Sequence, residues 1–289
     1  MKVLVYGSKG WIGGMFMDFL KNIQDIVAIE GVSRVDCTEE LEIEIKTLKP
    51  THVISFIGRT YGYINDKLIN SIDYLEYPNK LVENVRDNLF SPLVLAELSK
   101  IYNYHYSYLG TGCIFNGEGF TEESIPNYFG SSYSVVKGFT DRLLHFHDVL
   151  NLRIRMPISY IPNKRDFITK ITNYSYICSI PNSMTVLEDF FPIFLDLMIK
   201  KKIGTYNCTN PGVISHNEIL TEYKNLVDNS FTWNNMTIEE QSKKLLSDRS
   251  NNHLDTTLIE TEYPELPTIK ESVHNVLISF QKLGQSRNY

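Results

Sequence analysis

Through the first half of the chain, short apolar runs alternate with longer stretches in which apolar residues return every three or four positions. The first period predicts strands and the second predicts helices. The apolar runs place strands at 3–6, 26–30, 52–57, 106–109 and 152–155, and the helical stretches lie near 11–22, 39–48, 79–101 and 132–146. Strands separated by helices build a parallel sheet covered on both faces, so the expected class is α/β, a Rossmann-type doubly wound sheet. The rhythm loosens after Met156-Pro157, where Pro157 and Pro162 interrupt regular structure and loops are expected to dominate. This divides the chain into a main domain over 1–156 and a smaller C-terminal lobe over 157–289, with one segment, 204–209, expected to return to the main sheet as a strand. The polar tail from Gly284 to Tyr289 is expected to fray.

Composition narrows the class without naming a function. The 289 residues suffice for a sizeable core, and a net charge of -6 speaks against nucleic acid or an anionic membrane as partner. The longest basic run, Lys200-Lys201-Lys202, follows an apolar stretch and suits the end of a helix, where cations complement the dipole. No apolar run reaches the roughly 18 residues of a membrane span, and the opening residues read as a buried strand rather than a leader. Cys37, Cys113, Cys178 and Cys208 are far apart and form no CxxC pair, so neither zinc nor a disulfide framework is expected, and a reducing, cytoplasmic setting fits.

Candidate chemistry begins directly after the first strand. Gly7-Ser8-Lys9-Gly10-Trp11-Ile12-Gly13 joins that strand to an apolar helix opened by Trp11 and Ile12. A dinucleotide needs this context: Gly7 for the tight turn, Gly10 for approach of a pyrophosphate, Gly13 for close packing of helix on sheet, and free N–H groups at the helix start. The other reading is a plain strand-helix turn. At the end of the second strand, Arg34 favours the 2′-phosphate of NADPH, while Glu30 leaves NADH open.

Tyr133-Ser134-Val135-Val136-Lys137 places a phenol and an amine four residues apart, on one face of a helix. An ammonium beside the phenol would favour its ionised form and make it a usable proton carrier in the reduction of a carbonyl. Upstream, Tyr108-Leu109-Gly110-Thr111-Gly112-Cys113 leaves a strand tip, with Thr111 set to bond a substrate carbonyl or simply to cap the turn. Cys113 is either a small buried hydrophobe or, two residues from Thr111, a group able to exchange protons with a sugar carbon.

At these residues the chain resembles a family. The glycine loop, Thr111-Gly112-Cys113-Ile114-Phe115, Tyr133 to Lys137, Arg153-Ile154-Arg155-Met156-Pro157, Asp166-Phe167-Ile168-Thr169-Lys170, Ile180-Pro181-Asn182-Ser183-Met184 and Thr209-Asn210-Pro211-Gly212-Val213-Ile214-Ser215-His216 are similar to the bifunctional nucleotide-rhamnose synthases. These are extended short-chain dehydrogenases related more broadly to dTDP-4-dehydrorhamnose reductase. The resemblance runs from Val3 to about Ile278. It implies conversion of UDP-4-keto-6-deoxy-glucose, a UDP-sugar, to UDP-L-rhamnose by epimerisation at C3 and C5 and NADPH-dependent reduction at C4. It gives Thr111, Tyr133 and Lys137 the reductase roles and makes Cys113 and Lys170 the epimerase acid/base pair, although by itself Lys170 reads equally as a surface lysine. Gly58, Arg59, Thr60 and Asn88 are implied on the cofactor side. Asn182, Ser183, Met184 and Arg249 are implied on the substrate side, within a C-terminal substrate-binding lobe, and a homodimer is a possible assembly. Around Arg249 this chain reads Arg-Ser-Asn-Asn where the broader family has Arg-Pro. Two other readings stay open: a monofunctional 4-reductase, and a non-catalytic NADP-binding regulatory subunit.

Overall fold

Strands buried on both faces have no polar side to give water, and their residues are apolar almost without interruption. Here β1 (Lys2–Tyr6), β2 (Val27–Glu30), β3 (His52–Ser55), β4 (His105–Thr111), β5 (Val149–Ile154) and β6 (Gly204–Asn207) pair in parallel, in the spatial order β6-β5-β4-β3-β1-β2. The computed structural model describes residues 1–286. The helices that cover the sheet and build the lobe include α1 (Trp11–Lys21), α2 (Thr38–Leu48), α3 (Ser91–Tyr102), α4 (Ser132–Leu144), α5 (Phe167–Ile171), α6 (Leu187–Ile199), α7 (His216–Leu226) and α8 (Ile269–Ser286).

Alternate residues of the strands feed opposite cores. Val3 and Val5 pack with Phe16 and Leu20 of α1 and Phe190 and Phe194 of α6, while Leu4 and Tyr6 pack with Leu41 and Ile45 of α2 and Leu95 and Leu98 of α3. A slip of one residue would exchange the two faces, so the register is firmly set, with Val3 opposite both Ala28 and His52. The chain leaves β1 in one direction to reach β2, then returns to place β3 on the other side. At this reversal the loops after β1 and β3 part and leave a crevice at the C-terminal edge of the sheet.

Two expectations are corrected. The helix expected over 79–101 is interrupted: a short helix, Leu81–Val85, runs into a π turn at Arg86–Phe90 before α3. Pro92 has no N–H to offer the Asn88 carbonyl four residues earlier, and that oxygen accepts instead from Thr140 Oγ1 at 2.5 Å. Loops do not dominate beyond Pro157, because α6, α7 and α8 lie there. α6 buries eight of its side chains and carries Pro192 within it, a residue that reads in sequence as a break. Val273, Val276, Leu277 and Phe280 of α8 meet Ile219 and Leu220 of α7 and Ile168 and Ile171 of α5, forming a separate core for the C-terminal lobe. The Lys200-Lys201-Lys202 run does sit at the end of α6. The tail expected to fray begins inside α8, which continues to Ser286, and positions 287–289 lie outside the described residues. Among the described residues, no helix is long and apolar enough to cross a membrane.

Candidate active site

A cleft of about 1630 Å³ opens where β1, β3 and β4 end. Pockets for one small molecule usually measure about 300–1,000 Å³, so this space accommodates two extended ligands together.

The glycine loop forms one wall. Gly7 has φ +78°, and a Cβ there would stand 2.9 Å from the carbonyl carbon of Phe56. Gly10 donates its N–H to the Gly7 carbonyl at 2.9 Å. A Cβ on Gly13 would lie 2.3 Å from the Gly7 oxygen, so the third glycine lets α1 pack against the turn itself, where the sequence suggested the sheet. No side chain caps α1 and no acidic residue occupies its first turn, which leaves its N–H groups and positive dipole end free beside Trp11 and Ile12 in the cleft wall.

Further along that wall, Arg34 grips Asp36 with Nε and a terminal nitrogen at 3.0 and 2.7 Å, and Arg86 Nε lies 3.9 Å from the same carboxylate. All three line the cleft. Glu30 lies instead 3.6 Å from Lys9 Nζ. Gly58, Arg59 and Thr60 line the cleft after β3. Asn88, expected on the cofactor, is fully buried and does not line it. Its Oδ1 accepts from the Arg59 N–H and its Nδ2 donates to the Arg59 carbonyl, both at 2.9 Å, so Asn88 holds the backbone of the lining loop.

The opposite wall carries Thr111, Cys113, Tyr133 and Lys137. Ser131 caps α4 by accepting from the Ser134 N–H at 3.0 Å, which puts Tyr133 in the first turn and Lys137 one turn deeper. Tyr133 stands beside Thr111, at the tip of β4, in the cleft wall. Thr111 Oγ1 also accepts from the Cys113 N–H at 3.1 Å, so it caps the turn and faces the cleft at once. Lys137 departs from expectation: among the described residues its ammonium bonds not Tyr133 but the Tyr108 hydroxyl and, at 3.4 Å, the Leu109 carbonyl. A buried ammonium needs acceptors, and β4 supplies them closer to its base than the phenol does. Burial pushes Lys137 down to about 7, against the opposing pull of Asp141 and Cys113. Burial, and secondarily the charge of Cys113, holds the Tyr133 phenol above its ordinary value, while Thr111 pulls it back.

The C-terminal lobe closes the cleft. Lys170 lines it from α5, whose first turn is capped by Asp166 through the Thr169 N–H at 2.7 Å. Burial and the nearby charge of Arg165 lower the Lys170 amine. Arg249 also lines the cleft, paired with Asp73 at 3.0 Å across 176 positions of sequence. Asn182, Ser183 and Met184, expected to meet the substrate, are instead fully buried behind the wall. Asn182 Oδ1 accepts from Arg155 at 2.6 Å, Ser183 Oγ accepts from the Leu254 N–H at 3.0 Å, and Met184 belongs to the lobe core.

Three residues carry weight that the sequence reading did not assign: Tyr108, Asp73 and Arg155. Two arginines two apart on an apolar strand, Arg153 and Arg155, are a visible anomaly, since buried arginines need partners. Tyr108 and Asp73 carry no such local mark.

No family model matches the chain. It is 50% identical to the L780 UDP-rhamnose synthase of Acanthamoeba polyphaga mimivirus, whose crystal structure superposes with a TM-score of 0.93 over 96% of this chain and 99% of that one. It is 42% identical over 281 residues to an Arabidopsis thaliana bifunctional dTDP-4-dehydrorhamnose 3,5-epimerase/dTDP-4-dehydrorhamnose reductase, covering 93% of this chain and 90% of that protein. A dTDP-4-dehydrorhamnose reductase from Yersinia enterocolitica shares the fold at 17% identity, with a TM-score of 0.76 over 96% of this chain and 99% of that one. With the glycine-walled cleft, the Thr111, Tyr133 and Lys137 group and near full-length similarity of this degree, the chain belongs to the rhamnose-synthase family of epimerase-reductases.

Proposed function

We propose that the protein converts UDP-4-keto-6-deoxy-glucose to UDP-L-rhamnose, by epimerisation at C3 and C5 and then NADPH-dependent reduction at C4. The observation that carries the reading is a single cleft lined by the Gly7 turn, by Thr111, Tyr133 and Lys137, and by Cys113 and Lys170. The uncapped start of α1 fits a pyrophosphate, because its N–H groups lack partners within the helix and Gly10, in the cleft wall, carries no Cβ to hold a ligand off the backbone. Arg34 and Arg86 would hold a 2′-phosphate, which supports NADPH, while the carboxylate of Asp36 between them would suit a ribose hydroxyl and keeps NADH as the alternative. When bound, the nicotinamide supplies the hydride that C4 receives.

The chain's own residues handle the protons. Thr111 and Tyr133 hold the C4 oxygen, and Tyr133 protonates it as the carbonyl becomes an alcohol. Lys137, bonded to Tyr108, lies one helical turn from Tyr133 on the same face of α4. Protons next to the ketone are acidic because their removal gives an enolate, and Cys113 and Lys170 take and return them. Arg249 meets the nucleotide-sugar from the lobe.

The test is incubation with the 4-keto sugar nucleotide and NADPH, with the product identified by NMR. Y133F should abolish reduction and leave solvent deuterium exchange at C3 and C5 intact, whereas C113A should stop the exchange. A C113A enzyme that makes UDP-rhamnose from this substrate at the wild-type rate would remove Cys113 from the epimerisation. We also infer a homodimer, supported by exposed Phe139 and Leu143 on α4 and Phe146 just beyond it, a stripe at helical spacing. Sedimentation of F139E as a monomer and of wild type as a dimer is the expected result. The cytoplasm, where free thiols persist, is part of the same reading.

A further inference from the structure

Arg153 and Arg155 are both 1% exposed, and only one of them has a carboxylate. Arg153 forms a two-pronged pair with Asp141 at 2.8 and 2.7 Å. Arg155 has no carboxylate partner among the described residues. One of its terminal nitrogens donates to Ser250 Oγ at 2.9 Å and to Cys113 Sγ at 3.4 Å. The other donates to Asn182 Oδ1 and to the Ser250 carbonyl, both at 2.6 Å, and Nε has no partner. Asn182 is itself anchored, accepting from the Asn252 N–H at 2.9 Å and donating to Asn251 Oδ1 at 3.0 Å, so the guanidinium stands in a rigid frame.

A guanidinium does not lose its proton in a protein, and a buried ion without a counter-charge is costly. Every group hydrogen-bonded to Arg155 is neutral and stays so, apart from one: the Cys113 sulfur can become an anion. That sulfur also lines the cleft.

We infer that Arg155 is the positioning residue of the epimerisation, the buried cation that holds Cys113 as its anionic sulfur base and leaves Lys170 to return the proton. This rests on the proposed reading of Cys113 as an epimerase group. In the step, a C–H bond next to the ketone breaks and an S–H bond forms, and the freed electron pair passes into the C4 carbonyl as an enolate. A proton from the Lys170 ammonium then forms the new C–H bond on the other face. The thiol proton passes through solvent to the neutral amine, which restores both groups. Arg155 keeps its charge throughout and acts through the sulfur it touches.

Two measurements on the folded full-length chain separate the inference from the reading beneath it. The first is iodoacetamide alkylation of Cys113 against pH, followed on its peptide by mass spectrometry. The second is deuterium exchange at C3 and C5 of the 4-keto sugar nucleotide in heavy water without NADPH. R155M should move the alkylation profile upward by at least one pH unit and slow exchange at neutral pH at least tenfold, with recovery at higher pH. R155K, which keeps the charge, should restore most of both. S250A, which removes one anchor of the same nitrogen, should shift both in the same direction by less, and it carries the test should R155M not fold. An unchanged alkylation profile in R155M or S250A overturns the inference even where exchange falls, since that pattern marks a structural role. Normal exchange in C113S overturns the reading of Cys113 instead, whatever the alkylation profile shows.

Discussion

Lys137 is buried at the cleft wall between α4 and β4, and its ammonium is held there by two oxygens of β4. Burial brings it down to about 7, whereas in the unfolded chain it titrates near the ordinary lysine value of about 10.4. Between those values the unfolded state carries a proton that the folded state has released, so the stability of the ligand-free protein should rise with pH across that window. Urea unfolding at pH 7 and pH 9.5 should show this gain in wild type and its absence in K137M. A wild-type slope equal to that of K137M would mean that the amine is solvated. Spacing of four residues set Tyr133 and Lys137 on one face of α4, and it left open which oxygen the amine would choose. Tyr108 lies 29 positions away along the chain, joined to Lys137 only because β4 packs under α4.

At the scale of elements, α5 is too short to hold itself together and depends on its cap. Asp166 accepts from the Thr169 N–H at 2.7 Å and from the Ser159 N–H at 3.0 Å, and burial pushes its carboxyl up to about 6. D166A should cost about 1–3 kcal/mol, the range for a lost cap and an orphaned buried N–H, and D166N, which keeps an acceptor, clearly less. Since α5 carries Lys170, D166A should slow deuterium exchange at C3 and C5 more than reduction of a pre-epimerised ketone. Equal losses in the two assays would detach α5 from the epimerisation. The corrections to the secondary structure belong to this scale too. Pro92 interrupts the helix expected over 79–101, and the π turn also needs Thr140 of α4 to satisfy the freed carbonyl, a partner no local pattern names. α6 hid for another reason: Pro192 stands inside it and reads as a break, although Pro192 and Ile199 lie on its exposed side.

Over the whole molecule, the lobe is tied to the sheet domain across the cleft by a compact charged knot. Asp73 accepts from the Ser247 N–H and hydroxyl at 3.0 and 2.7 Å and from Arg249 at 3.0 Å. Burial raises this carboxyl, but the Arg249 and Ser247 bonds outweigh it and bring it down to about 2. A depressed carboxylate contributes stability that is present above the ordinary aspartate value of about 3.9 and lost as the pH falls toward 2. D73N should therefore destabilise the protein by about 1–3 kcal/mol at neutral pH and lose less on acidification between pH 4 and 2.5 than wild type. Thermal unfolding across that range is the check, and parallel acid losses would place the Asp73 charge outside the folded state's balance. The Arg165 guanidinium 4.0 Å from the Tyr61 ring makes a second link across the same opening.

The amino-acid sequence determined by itself what repeats along the backbone can express. Short apolar runs wrote the parallel strands, the glycine spacing wrote the turn after β1, and a spacing of four aligned Tyr133 with Lys137. Tertiary structure decided which groups meet. Arg155 reaches Cys113 over 42 positions and Asn182 over 27, so Asn182, expected to meet the substrate, stands behind the wall and steadies Arg155. Backbone geometry is set within a few residues, but a buried charge takes whichever partner the packing of distant segments brings within reach, and that choice has no local spelling.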